Sequence, residues 1–232
     1  IAHTQSASGK DIITHIEYDG LGRQTKEFLP YATTNATLNY RTTAATDVFT
    51  FYNDPYYENT TNPYSETFYE ASPLNRTLKI GAPGNIWKGN PNNNNDKTIK
   101  FEYRTNTTNE VKRFTVTTDV NTFEPTFHAP GNYDANQLYV TITKDENWTQ
   151  GNLHTTREYK DKQGRVILKR TYGVSQTRHN DPNTVTPHDT YYVYDDYGNL
   201  TYVFTPLMDK NNITQAAIDG LGYQYKYDHR NR

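Results

Sequence analysis

One short turn is written five times along this 232-residue chain: an acidic or hydroxyl residue, two variable residues, a glycine or asparagine, then arginine or asparagine. The copies are Asp19-Gly20-Leu21-Gly22-Arg23, Ser72-Pro73-Leu74-Asn75-Arg76, Asp161-Lys162-Gln163-Gly164-Arg165, Asp195-Asp196-Tyr197-Gly198-Asn199 and Asp228-His229-Arg230-Asn231-Arg232. The first side chain can accept a backbone N–H two residues on, and the next two residues suit a type I turn. The fourth must then enter the left-handed region to form a G1 bulge, which Gly does without strain and Asn tolerates best among the rest. Each copy therefore predicts a β-hairpin.

The flanks agree. Tyr18, Tyr194 and Tyr227 stand directly before the aspartate, with Tyr69 and Tyr159 slightly displaced in the weaker copies. Eight places after the Gly/Asn position stand Pro30, Pro83 and Pro206, where a residue without a ladder donor ends the second strand, whereas the copy at Gly164 has Tyr172 there. Period-two alternation predicts strands at Ile12-Thr14-Ile16-Tyr18, Leu200-Tyr202-Phe204 and Tyr223-Tyr225-Tyr227. Further strands are expected at Ile99-Phe101-Tyr103, Phe114-Val116 and Leu138-Val140-Ile142. Asn59-Thr60-Thr61-Asn62-Pro63 and Asn92-Asn93-Asn94-Asn95-Asp96 read as loop tips, and one short helix is expected over about 212–220, capped by Asn212 and closed by Gly220. The fold class expected is all-β: repeated antiparallel hairpins forming a curved strip or part of a hollow β-shell, with at most one short helix.

Composition narrows the chemistry. Tyr is abundant (21 residues, against 2 Trp and 1 Met), as suits half-buried pleated surfaces. The absence of Cys excludes a disulfide framework, a thiolate zinc site and a Cys nucleophile. A net charge of -2 without a basic cluster gives no ground for nucleic acid or an anionic membrane as partner. No apolar run approaches the ~20 residues that span a bilayer. The start at Ile1-Ala2-His3-Thr4-Gln5 lacks the basic and hydrophobic regions of a signal peptide, and Tyr227–Arg232 stops inside a repeat. The expectation is a processed chain or a piece of a longer one.

Tyr18-Asp19-Gly20-Leu21-Gly22-Arg23, Tyr192-Val193-Tyr194-Asp195-Asp196-Tyr197-Gly198-Asn199-Leu200 and Tyr225-Lys226-Tyr227-Asp228 resemble the YD repeats of the Rhs and toxin-complex family. The stretch from Pro63 through Pro83-Gly84-Asn85-Ile86-Trp87 is similar to the region that precedes the repeats in large exported Rhs-like proteins. The resemblance, which covers most of the chain, implies a spiralling strip of hairpins that closes into a hollow shell around a C-terminal toxin or effector. In that family the variable C-terminal region carries the activity and a core region near it carries self-cleavage; neither is found in this sequence. The step from Gly164 to Gly198 to Asn231, about 33 residues, is longer than a compact YD unit, so inserted strands or loops are expected.

Catalytic constellations are wanting. His3, His15, His128, His154, His179, His188 and His229 show no metal-ligand spacing. His179-Asn180-Asp181 and His188-Asp189 could pair a base with a carboxylate, but their Pro- and Asn-rich surroundings read as loop. No serine stands in a Gly-x-Ser-x-Gly elbow, and Gly20-Leu21-Gly22 and Gly220-Leu221-Gly222 lack the third glycine of a dinucleotide loop. Asp145-Glu146-Asn147 and Asp209-Lys210-Asn211-Asn212 lack the later Gly and Glu of a calcium loop. The recurring aspartates are unsuited to glycoside hydrolysis, which needs one carboxylate pair rather than an Asp at every turn. The Asn-x-Thr triplets, Asn35-Ala36-Thr37 and Asn199-Leu200-Thr201 among them, carry no weight in so Asn- and Thr-rich a chain.

Two readings remain. The first is a non-catalytic structural segment of a secreted or cell-surface repeat protein, enclosing or delivering a C-terminal effector. Its partners would be the rest of its own chain, the bacterial export machinery and an immunity protein, and it would need no cofactor. The second is a surface adhesion or carbohydrate-binding module, with Trp87, Trp148 or exposed tyrosines as a platform for glycans. Tyr and Phe stacked on one face as a core favour the first. The expected organisation is a first hairpin at 1–30, a β-rich region at 31–150 with a degenerate repeat near 69–83, and a strip of repeats at 151–232.

Overall fold

A computed structural model describes residues 9–34, 37, 39–174, 184–228, 230 and 232. Among these the chain is mostly β, with fourteen strands, all pairs antiparallel, and two α-helices. It divides into two compact units, residues 1–101 with 145–149, and residues 102–144 with 150–232.

The first unit holds β1 (Ile12–Ile13), β2 (Lys26–Phe28), β3 (Tyr31–Ala32), α1 (Ala44–Tyr52), β4 (Tyr64–Tyr69), β5 (Thr77–Gly81) and the start of β6 (Ile99–Thr105), whose end from Glu102 onward belongs to the second unit. β2 pairs with β4 (Phe28 opposite Tyr64), β4 with β5, and β5 with β6, while β1 pairs separately with β3. Phe28, Tyr31, Val48 and Tyr64 form the core, with Phe28 against the rings of Tyr64 (5.0 Å) and Phe49 (5.9 Å).

α1 corrects the expectation of at most one helix. Its sequence, Ala-Ala-Thr-Asp-Val-Phe-Thr-Phe-Tyr, is rich in β-branched and aromatic residues and has no intrinsic helix signature. Tertiary packing makes it: Val48 is fully buried, and Asp47 in the first turn accepts from the hydroxyls of Thr43 (2.9 Å) and Tyr31 (3.3 Å).

Both expected loop tips are tied down instead. Asn62 is 1% exposed, and its Nδ2 donates to the carbonyls of Tyr64, Ala82 and Gly84, so the segment 59–63 is anchored by a buried side chain although Asn59 and Thr61 are exposed. The Asn-rich loop at 90–96 is clamped by buried charges. The Lys79 ammonium donates to the carbonyls of Asn90 (2.7 Å) and Asn93 (2.5 Å) and to Asp96 Oδ2 (2.9 Å). That of Lys100 donates to the carbonyls of Asp96 and Thr98 and lies 3.0 Å from Asp96 Oδ1. Burial alone would raise the Asp96 pKa, but hydrogen bonds from the Thr98 hydroxyl, the Asn90 N–H and both lysines hold it well below the usual carboxylate range.

The second unit holds β7 (Lys112–Thr118), β8 (Pro125–Asn132), β9 (Tyr139–Lys144), β10 (Thr155–Lys160), β11 (Val166–Val174), β12 (Val185–Tyr194), β13 (Leu200–Phe204), α2 (Gln215–Leu221) and β14 (Gly222–Gln224). Its sheet runs β14-β13-β12-β11-β10-β9, an unbroken meander. Register sets Val140, Tyr159, Leu168, Tyr191 and Phe204 directly opposite one another in a single buried row across five strands. The row ends at Gly222, opposite Phe204, where an added Cβ would come within about 3.1–3.2 Å of Met208 Sδ and the Val203 and Ile218 carbonyls. The hairpin β7–β8 lies over this face. Phe114 meets the rings of Tyr191 and Phe204 edge-on at 5.1 Å, and Phe127 meets Tyr202 and Phe204 at 5.7 and 5.5 Å.

Strands fall near their expected places, with differences. β1 keeps only two residues of the Ile12–Tyr18 run, supplemented by an isolated bridge from Ile16 to Glu27. Pro30, Pro83 and Pro206 each stand two residues past the end of β2, β5 and β13. β11, which lacks that proline, runs nine residues. α2 begins at Gln215 rather than Asn212, because Thr214 Oγ1 accepts from the Ala217 N–H (3.2 Å) while Asp209–Asn212 makes a turn of its own. It continues through Gly220 and closes at Gly222. The long repeat step is filled by the length of β11 and β12 and, in the next step, by α2 and β14.

Phe204 is 0% exposed at the centre of the row. Phe204→Ala is expected to lower unfolding free energy in urea by about 3–5 kcal/mol. Tyr197→Ala, at a largely exposed ring, is expected to change it by less than about 0.5 kcal/mol.

Candidate functional site

The recurrent feature with defined chemistry is the turn itself. In the first copy, Asp19 Oδ1 accepts the N–H groups of Leu21 and Arg23, both at 2.9 Å, and Oδ2 accepts Arg23 Nε at 2.8 Å. The Gly22 N–H donates to the Asp19 carbonyl, the Asp19 N–H donates to the Arg23 carbonyl, and Gly22 sits at φ 75°. Asp161 repeats every contact with Gln163, Arg165 and Gly164 (φ 83°), the carboxylate distances lying between 2.7 and 2.9 Å. Asp195 does so with Tyr197, Asn199 and Gly198 (φ 87°), the Asn199 amide taking the guanidinium's place at 3.0 Å. Asp228 binds the N–H groups of Arg230 and Arg232 and the Arg232 guanidinium; Asn231, expected to supply its left-handed residue, lies outside the described residues.

The second copy is built differently from its expected form. Its closing backbone bond runs from the Glu70 N–H to the Arg76 carbonyl (2.9 Å), two residues longer than in the others. Ser72 Oγ accepts the Leu74 N–H, Glu70 takes the Arg76 guanidinium in bidentate fashion (2.7–3.0 Å), and Asn75 adopts φ 50°. Ser72 and Glu70 thus divide the work of one aspartate. The signal was present in Tyr69-Glu70, a Tyr–acid pair like Tyr18-Asp19, but the Gly/Asn spacing drew the register to Ser72. Arg76 and then Ser72 hold the Glu70 carboxyl down to about 2.

Successive turns are linked. The Arg23 guanidinium lies 4.7 Å above the Tyr69 ring and donates to Asn75 Oδ1 (2.6 Å), both in the following turn. Arg165 lies 4.9 Å above Tyr194, again the tyrosine of the following turn, and its Nη1 would be 3.7 Å from a Cβ on Gly198. Tyr194 donates its hydroxyl to the Val166 carbonyl (3.2 Å), and Tyr227 does the same to Leu200 (3.0 Å). Tyr194 and Tyr227 therefore each seal the hairpin before their own. Tyr18, first in the series, is largely exposed.

A related turn was missed. Asp119 accepts the N–H groups of Asn121 and Thr122 and joins β7 to β8, with Phe123 rather than Gly at φ 58°. Its one-residue-longer spacing and the bulky left-handed residue hide it from a Gly-based search.

Other charged groups form structural networks. Glu110 binds the Arg104 guanidinium and accepts the Tyr159 hydroxyl (2.7 Å), and Arg170 lies over the Tyr159 ring while paired in two-pronged fashion with cross-strand Asp189 (2.6 and 2.7 Å). Burial would raise Glu110, but Arg104, the Thr107 N–H and Tyr159 pull it down to about 2; burial and then Glu110 push Tyr159 up to about 12. His188 stands opposite Thr171 on β12, its ring against Gly173, while His179-Asn180-Asp181 lies outside the described residues. No group of three or more metal-capable side chains occurs among the described residues.

Residues 1–105 match the model of a family described as a domain of unknown function (DUF6443), a stretch that ends with β6 and contains the first two turns. No curated protein matches the chain.

Asp161→Ala removes two amide acceptors and a guanidinium partner, and is expected to cost about 1–2 kcal/mol, comparable to the loss of a helix cap. The neighbouring Asp196→Ala, at an exposed position, is expected to be neutral within about 0.5 kcal/mol. Because the Glu110 pKa is depressed on folding, its contribution is complete above the ordinary value of 4.5 and is lost as pH falls to about 2. Glu110→Gln should flatten that part of the pH dependence of urea unfolding.

Proposed function

We propose that this chain is a non-catalytic structural segment of a large secreted or cell-surface repeat protein of YD (Rhs) type. In this reading it forms part of a β-shell that encloses or delivers a C-terminal toxin or effector. The observation that carries it is the relay from turn to turn. Arg23 on Tyr69 and Arg165 on Tyr194 couple two of the hairpins to the one that follows, by side chains that the repeat itself supplies. Such coupling is directional and extends with every added repeat, as a long self-supporting strip requires. Supporting it, the turn carboxylates are occupied by amide and guanidinium donors, and the depressed Glu70 and Glu110 sit in ion-paired networks. The partners in this reading are the remainder of the chain with its effector, the export machinery and an immunity protein.

The experiment is electron cryo-microscopy of the longest parent chain that contains this segment. The expected result is that hairpins continue beyond Arg232 and close around a folded C-terminal domain. An open strip whose tyrosines and tryptophans line an outward cleft, together with retention on glycan resins, would overturn the reading in favour of adhesion.

A further inference from the structure

Where the β7–β8 hairpin meets the turns at 161–165 and 195–199, they frame an open cleft of about 470 Å³. Every residue that lines it belongs to the second unit. Its depth is apolar, reached by Phe114, Val116, Leu138 and Ile167, all buried. Its rim is charged, and the charges are sorted by sign. In the first turn Asp161 is neutralised by Arg165 at 2.7 Å, which leaves Lys162 as the net charge of that lip, and Arg113 on β7 adds a second cation. The second turn contributes Asp195 and Asp196 and no cation.

Arg113, Lys162 and Asp196 are exposed, and none of the three side chains makes an ion pair or hydrogen bond among the described residues. Tyr133 marks the basic side. Burial raises its pKa, and of the charges acting on its hydroxyl that of Arg113 is the largest, ahead of Asp161 and Arg165. Arg113 and the first turn therefore flank the same hydroxyl. Lys162 and Asp196 hold the same place in consecutive turns, one following β10 and the other β12. Two strand spacings separate them, about 10 Å, so the two lips leave each other unpaired.

We propose that this cleft binds an extended peptide segment in which an acidic and a basic residue flank an apolar one. The carboxylate faces Arg113 and Lys162, the cation faces Asp196, and the apolar side chain enters the depth between them. Strand alternation points the central side chain inward and its two neighbours toward the rim. Those neighbours stand about 7 Å apart, and glutamate and lysine side chains are long enough to cover the rest. The two charges of a free amino acid sit too close together to reach both lips. A ligand of one sign would meet repulsion from one of them. The cleft is complete whether or not the strip encloses an effector.

The test is an NMR titration of the 232-residue chain with acetyl-Glu-Leu-Lys-amide, followed at the backbone amides of 113–116, 133, 162–165 and 194–196. Expected are saturable shifts at those positions, and weaker binding of acetyl-Gln-Leu-Gln-amide, acetyl-Glu-Ser-Lys-amide and free leucine. Lys162→Ser and Asp196→Ser should each weaken binding of the charged peptide about two- to fivefold, the range of a single exposed ion pair. Absence of saturable shifts, shifts confined to other residues, equal affinity for the uncharged or the serine peptide, or undiminished binding to both variants would each overturn the proposal. The peptide series on the unaltered chain decides it even if a variant fails to fold.

Discussion

A carboxylate one residue past a strand does three things at once in this chain. One oxygen takes two backbone N–H groups, which fixes the turn; the other takes a guanidinium or amide four residues on, which fixes the exit of the next strand; and the guanidinium so oriented lies over the following turn's tyrosine. Bonds to an ionised acceptor are roughly twice as strong as neutral ones, so the turn is well determined despite its exposure. Register follows from it. β4–β5, β10–β11 and β12–β13 each show a one-residue shift beside the turn, and that shift decides which residues face the core.

The two units bury the resulting apolar face by different means. In the first, α1 brings Val48 against Phe28, Tyr31 and Tyr64. In the second, the β7–β8 hairpin is inserted between β6 and β9, at a point where Asn106 replaces a turn aspartate. Its Oδ1 accepts the N–H groups of Gln137 and Leu138 and its Nδ2 donates to Asp134. The insertion leaves the meander's pairing undisturbed and covers the Val140-to-Phe204 row.

What could be read from the sequence was local. A type I turn with a G1 bulge needs its donors, acceptors and left-handed residue within five positions, so Asp19, Asp161 and Asp195 announce themselves. Where two residues share the acceptor role, as Glu70 and Ser72 do, the spacing misleads. Where structure is made by distant partners, the sequence is silent: α1 has a strand-like composition, Asn62 looks like any other loop asparagine, and nothing near Asn92–Asn95 reveals that Lys79 reaches the Asn93 carbonyl. The link from Arg165 to Tyr194 spans 29 positions and appears only once β11 and β12 lie side by side.

The lysine clamp on the asparagine-rich loop has a corollary for how that loop can change. Lys79 holds it by the main-chain carbonyls of Asn90 and Asn93, which every residue type provides, and by the single side chain of Asp96. The identities at 92, 94 and 95 are therefore nearly free to drift, whereas its length is not. One residue added or deleted would move a carbonyl off a buried ammonium and leave that charge one acceptor short. The loop is in effect a ruler, tolerant of spelling and intolerant of counting.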